Sequence, residues 1–303
     1  MSHDLRCWER PFRPTIRLTA LGLACAIALG ACEPNNSPDK GSNENALPQI
    51  QSLAYQGYDR LLGQYVDGSG MVDYASLSES RDRLDAFVDD LGRLDPATFE
   101  TWGESEQLAF WINAYNAITL VRILDHYPID RGGIVSAVLY PANSIRQIDG
   151  VWTKLTTRVL GEDMTLDHIE HEIIRKEFNE PRIHAAIVCA AKSCPPLRTE
   201  AFRADRLDAQ LDDQSRRFLG VPGRFGIDRE KNVVYLSPIL DWFAEDFVRK
   251  YGHLGRIGDH GERDSAVLQF ARQYVSDSDA AYIDSETYQV EYLKYDWSLN
   301  EQP

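Results

Sequence analysis

The chain has 303 residues, 43% of them hydrophobic, enough apolar material for one large core or two ordinary ones. Its 32 lysines and arginines stand against 47 aspartates and glutamates, a formal net charge of −15, with no basic run. No nucleic-acid partner is therefore expected, since phosphate contacts need grouped Lys and Arg.

Arg6, Arg10, Arg13 and Arg17 form a positive flank ahead of an apolar run from Leu18 to Ala31. That run is too short and too rich in Ala and Gly for a comfortable membrane span, so it reads as a leader. Leu29-Gly30-Ala31-Cys32 resembles the lipobox of bacterial lipoproteins, which implies cleavage after residue 31 and lipidation of Cys32. An ordinary signal peptide or an N-terminal anchor is the plainer alternative. Glu33, in place of aspartate, favours the outer over the inner membrane, so the expected location is the periplasm-facing envelope, reached through Cys32. Removing residues 1–31 also removes Cys7 and Cys25, leaving Cys189 and Cys194 in an oxidising compartment. Two such thiols can close a small disulfide, or serve as one reactive and one structural thiol.

Residues 33–47 are polar and rich in breakers, a flexible tether, and residues 48–300 read as one domain. Ile50, Leu53, Leu61, Leu62 and Tyr65 recur at helical spacing up to Asp67-Gly68-Ser69-Gly70, and a short extended piece follows over Met71–Tyr74. A second stripe, Leu84, Phe87, Val88 and Leu91, ends at Asp95-Pro96. The helix over Glu104–Tyr127 is apolar on every face and should be buried all round. It carries Asn113 and Asn116, whose buried amides need partners. They either tie loop backbone to the core or serve a site, by orienting a catalytic group or donating to an oxyanion.

Residues 129–163 read as a looser region. In the helix predicted over 164–175, Thr165 suits the N-cap, and Leu166, Ile169, Ile173 and Ile174 form the apolar face. His168, His171, Glu172 and Arg175 fall on the opposite one. Glu170 projects from the middle of the apolar face, where a carboxylate should be paired or protonated unless it reaches water at a rim. Such a breach of pattern is expected at functional or strained sites.

Arg182–Arg198 brings one histidine and two thiols together. Ile183, Ala185 and Ile187 alternate with His184, Ala186 and Val188, which predicts a strand buried on both faces, ending near Cys189 before Pro195-Pro196. A polar helix over 199–219, a hairpin of 225–228 with 233–236, helices over 238–250 and 264–275, and a last strand over 288–295 complete the chain.

Several stretches resemble one family, that of domain of unknown function 547. They are Phe110-Trp111-Ile112-Asn113-Ala114-Tyr115-Asn116-Ala117, Ser144-Ile145-Arg146 with Trp152, and Leu166-Asp167-His168-Ile169-Glu170-His171 with Arg175. Arg182-Ile183-His184 through Cys189 to Pro196, and Tyr295-Asp296-Trp297-Ser298-Leu299-Asn300, follow in the family's order. The resemblance implies that Asn113, Asn116, Glu170, His171, His184 and Cys189 belong to one constellation, and it supplies no activity.

The fold class expected is α+β, a helix-rich single domain with a small central antiparallel sheet, by analogy papain- or transglutaminase-like. The chemistry these residue types suit is that of a thiol-dependent hydrolase or acyltransferase acting on amide or peptide-like substrates. Cys189 would be the nucleophile, His171 or His184 its base, Glu170 the orienting group, and Asn113 or Asn116 an oxyanion donor. A metal site from His168, His171, Glu172 and His184 fits no zinc spacing, and an exposed histidine face is the blander account. No metal or cofactor is expected. The alternative to an enzyme is an envelope binding module with a structural polar cluster, favoured if Cys189 and Cys194 are joined.

Overall fold

Helices dominate because apolar residues recur at three- and four-residue spacing along most of the chain. The computed structural model describes residues 50–303 apart from 51 and 286; the leader expected over 1–31, the lipidation expected at Cys32 and the tether expected over 33–47 lie outside the described residues. Residues 48–303 form one compact unit. α1 (Tyr55–Tyr65), α2 (Tyr74–Ser78), α3 (Asp82–Arg93) and α4 (Pro96–Phe99) lead to α5 (Glu104–Leu124). Every residue of α5 from Leu108 to Leu120 is buried, as an all-round apolar sequence requires. α2, α3 and the segment carrying Glu170 pack against it. Among the described residues no helix is long and apolar enough to cross a membrane.

After α6 (Ile134–Leu139), the region read as loose contains a hairpin, β1 (Thr156–Val159) and β2 (Glu162–Thr165). Leu160 and Gly161 turn it with φ of 51° and 80°, the two positive values a tight two-residue turn needs. β2 delivers the chain into a π-helical segment, His168–Ile174, continued by α7 (Arg175–Glu177). Thr165 Oγ1 accepts from His168 N–H, the capping contact its position suggested. Wide π turns are uncommon and concentrate at functional sites.

The strand expected over 183–188 is a correction: Pro181–Ala185 is a 3₁₀ turn, continued by loop. Pro181 opens the turn, Glu180 accepts from Arg182 N–H, and Ile183 O takes both Ala186 N–H and Ile187 N–H. A short run of small apolar residues buried all round reads alike as strand or turn, and alternation cannot separate the two.

α8 (Leu207–Gly220) is followed by β3 (Phe225–Asp228) and β4 (Val233–Leu236), paired antiparallel as expected. α9 (Pro238–Trp242) and α10 (Ala244–Tyr251) replace the single helix read there, the break falling at Phe243. α11 (Glu262–Ala271) packs on α10, α12 (Asp277–Ile283) follows, and β5 (Gln289–Tyr292) joins β4 in parallel. The α+β, helix-rich class is as expected, but in place of one central antiparallel sheet there are two small sheets, the three-stranded one mixed.

The C-terminal tail closes the unit over the cysteine loop. Leu299 bridges Ala191, Glu301 bridges Val72, and Asn300 N–H donates to Ala190 O. Gly70, at φ +80°, lies so close to Pro196 that a Cβ there would stand 2.5 Å from its Cα, so glycine is required for this approach.

Candidate functional site

Two buried polar centres are built from the segment 168–175 and what packs on it. The first gathers around Asp246, which α10 holds 5% exposed beside the buried Phe247. His184 Nε2 donates to Asp246 Oδ2 at 2.7 Å, Arg175 Nε to the same oxygen at 2.6 Å, and Arg249 Nη2 to Oδ1 at 2.6 Å. Burial opposes ionisation of Asp246, but these bonds outweigh it and hold the carboxyl well below its ordinary range. The His184 ring stacks on Phe243 with centroids 4.0 Å apart. Burial lowers the affinity of His184 for a second proton despite Asp246, and its Nδ1 has no hydrogen-bond partner. Arg175 Nη1 donates to His171 Nδ1 at 2.7 Å, which fixes the proton of a neutral His171 on Nε2. Burial, then the Arg175 charge, pulls the His171 pKa down to about 4.

The second centre gathers around the thiols. Glu170 is 1% exposed, accepts from Tyr115 O–H at 2.8 Å through Oε2, and has no partner at Oε1. Burial raises its pKa to about 8, against the lowering effects of Tyr115 and Arg175, and a negative Cys194 would raise it further. The Tyr115 hydroxyl is itself pushed far up by burial and then by Glu170.

Cys189 and Cys194 are free and buried, with their sulfurs 2.7 Å apart. Cys189 N–H also donates to Cys194 Sγ, an added donor that favours charge on Cys194 over Cys189. Tyr295 O–H reaches Cys189 Sγ at 3.1 Å, completing a chain of donors that ends on Cys194. Burial opposes charge on Cys194, but the bonds from Cys189 and Tyr295 and the nearby Arg224 bring its pKa below the ordinary thiol value. Burial, then the neighbouring thiol, drives that of Cys189 well up. Arg224 is 6% exposed and donates through Nη2 to the carbonyls of Lys192 and Cys194, while its Nε and Nη1 are unpartnered. Between the thiols, Ala190 sits at φ 57°, a left-handed conformation a non-glycine residue adopts at a cost of about 1 kcal/mol or more. The tail bonds to Ala190 O and Lys192 N–H hold it there.

The site residues read from sequence divide between these surroundings. Glu170 and Cys189 belong to the thiol centre, His171 and His184 to the Asp246 centre. The hydrogen-bond partners of Cys189 Sγ are Cys194 and Tyr295, neither of them a histidine. Both asparagine amides are occupied by backbone. Asn113 clamps Phe202 N–H and O at 2.9 Å each, and Asn116 joins Ala186 O to Val188 N–H. Among the described residues no group of three or more His, Cys, Asp or Glu is placed to hold a metal. Of the four residues considered for one, Glu172 pairs with Lys176 and His184 with Asp246.

A family model described as "Protein of unknown function, DUF547" matches residues 99–219. Over that span the chain is similar to this family. The match covers both asparagines, the π segment, His184 and both thiols, while Asp246, Arg249, Arg224 and Tyr295, which complete the two centres, lie beyond it. No curated protein and no solved structure matches the chain.

Five residues that matter beside the DUF547 segment or within it escaped the sequence reading: Tyr115, Asp246, Tyr295, Arg224 and Cys194 as the acidic thiol. Asp246 could have been found as Glu170 was, since it lies three residues after Phe243 and next to Phe247 on a partly apolar helix. Arg224 follows Pro222-Gly223 and belongs to no periodic pattern, so nothing local marks it.

Proposed function

We propose that this protein is an envelope lipoprotein anchored through Cys32, acting as a thiol-dependent hydrolase or acyltransferase on amide or peptide-like bonds. The observation that carries the reading is the contact of two free buried thiols, arranged so that Cys194 alone can hold charge, beside buried polar atoms left without partners. A core built for stability alone satisfies such atoms. In the reaction, the Cys194 thiolate adds to the carbonyl carbon, the C–N bond breaks, and the leaving amine takes up a proton. Water or an acceptor amine then cleaves the thioester and restores the thiol. Glu170, protonated up to about pH 8, is the proton store of the centre. Cys189 supports the thiolate by hydrogen bonding, a change from the sequence-based assignment of Cys189 as nucleophile.

The closeness of the sulfurs also favours a second reading. Loss of two hydrogens to an oxidant would close a disulfide, and the protein would then be a stapled binding module. Iodoacetamide labelling of the reduced full-length protein between pH 6 and 10, read by peptide mass spectrometry, separates the two in about one experiment's pH range. Cys194 should be alkylated before Cys189, and Cys194→Ser should abolish cleavage of peptide anilide probes. Cleavage that survives Cys194→Ser sinks the enzyme reading. A native protein two hydrogens lighter until reduced supports the staple.

A further inference from the structure

Of the family-like stretches, Ser144–Arg146, Trp152 and the tail beyond Tyr295 take no part in the thiol chemistry above, yet the fold brings them together. Trp297 lies 4.5 Å from Tyr295, 6.0 Å from Tyr140 and, nearly parallel, 6.1 Å from Trp242, all centroid to centroid. All four rings are half-buried. Tyr295 is also the ring whose hydroxyl touches Cys189 Sγ, so one end of this aromatic cluster opens on the thiol centre.

Arg146 stands among the rings. Its guanidinium carbon is 4.4 Å from the Tyr140 centroid, 5.1 Å from Trp297 and 5.6 Å from Trp152. Nη2 donates to the Tyr140 hydroxyl at 2.5 Å, while Nε is buried without a partner. Among the described residues no carboxylate pairs with Arg146, in a chain whose formal charge is −15 and whose arginines are mostly ion-paired. The nearest acid in sequence on the facing tail, Asp296, uses Oδ1 to accept from Ser298 N–H. At the inner end Arg224 likewise lacks a carboxylate and keeps two unpartnered nitrogens, at 6% exposure.

A guanidinium set among aromatic rings is preorganised, and its natural complement is a carboxylate. Rings on either side suit an apolar group attached next to that carboxylate. Val138 and Leu139, 81% and 50% exposed at the end of the helix before Tyr140, extend the apolar border. We infer that the Tyr140–Arg146–Trp297 cluster is the recognition site for a small peptide-like molecule bearing a free carboxylate beside an apolar side chain. Arg146 binds the carboxylate and the amide chain runs along Tyr295 toward the thiols. The peptide-like part of this assignment rests on the thiol reading; the carboxylate part does not.

The test titrates the full-length protein with N-acetyl-alanyl-phenylalanine and with its C-terminal amide, following tryptophan fluorescence, which Trp242 and Trp297 should report. The acid should quench saturably and bind about tenfold or more tightly than the amide, the ordinary size of one charge-assisted contact. Arg146→Gln should erase that preference and Arg146→Lys should restore part of it. Equal affinity of acid and amide, no saturable quench by the acid, or equal binding of a neutral N-acetylglucosamine oligomer each overturns the inference. If the arginine variants do not fold, the acid–amide comparison on the unaltered chain still decides. The readout needs no turnover, so a failure of thiol chemistry and a failure of carboxylate recognition are seen separately.

Discussion

The two polar centres draw on the same seven-residue π segment and its extension, yet they are built on opposite terms. Around Asp246, every charge meets an opposite charge: one carboxylate takes bonds from a histidine and two arginines. Protonation there is pinned far from neutrality, with Asp246 ionised and His171 neutral. Around the thiols, Glu170 has one neutral hydrogen-bond donor for two oxygens, and Arg224 has carbonyls but no carboxylate. The same burial that a paired charge survives instead moves Glu170 to about pH 8, where small changes alter its state. Pairing makes a buried charge a structural element, and withholding the partner makes it a titratable one.

The widest separation of the two centres should come from pH. In the fold Glu170 keeps its proton up to about pH 8, whereas in the unfolded chain it ionises near 4.5. Between these values the folded state holds the extra proton, so stability falls as pH rises, by on the order of 5 kcal/mol over the whole window. His171 acts in the other direction: its pKa falls from 6.5 to about 4, so the unfolded state binds the extra proton and stability rises with pH through that interval. Above pH 6.5 the His171 contribution is complete. The lowered pKa of Cys194 opposes Glu170 there, since the unfolded state then holds the extra thiol proton and stability rises with pH. Urea unfolding from pH 6.5 to 9 should show the parent losing stability relative to Glu170→Gln as pH rises, the difference between the two isolating Glu170. Equal slopes would mean that Glu170 is already ionised, and the contrast between the centres would collapse.

Asp246→Ala tests the paired side. It leaves Arg175 and Arg249 facing a buried site without their carboxylate, and should cost about 4 kcal/mol by urea unfolding at pH 7. Asp246→Asn, which keeps shape and one acceptor, should cost less. A loss from Asp246→Ala below about 1 kcal/mol would show that the centre is solvated, and not a closed charge cluster.

How much of this was legible depended on whether a residue broke a regular pattern. Glu170 did, because a helical wheel has an inside and a carboxylate stood in it. The helix over Asn113 and Asn116 was legible as buried all round, and the β3–β4 hairpin as strands across a polar turn. The run 183–188 was misread because Ile, Ala and Val pack equally well in a strand or a 3₁₀ turn, and the deciding bonds come from Asn116, far away in sequence. The division of the histidines from the thiols was not legible at all. It depends on Asp246, more than sixty positions from His184, and on Tyr295 near the C-terminal end. Tertiary pairing of polar atoms leaves no period in the sequence, so a list of unusual residues joined what the fold keeps as two centres.

Asn116 gives the smallest and sharpest comparison, because it lies beneath the cysteine loop yet contacts neither centre's reacting atoms. Its amide donates to Ala186 O at 3.0 Å and accepts from Val188 N–H at 2.9 Å, with the residue 3% exposed. Removing it leaves two buried backbone groups unsatisfied next to Cys189, and Asn116→Ala should cost about 2 kcal/mol. Asn116→Asp keeps the acceptor for Val188 but turns a second oxygen toward Ala186 O, and should be no better tolerated. If Asn116 only shapes the loop, both variants should lower stability and speed alkylation of Cys189 and Cys194 together, since the loop opens as a unit. Were it instead to act on a developing oxyanion, peptide anilide cleavage would fall with folding stability and thiol labelling unchanged.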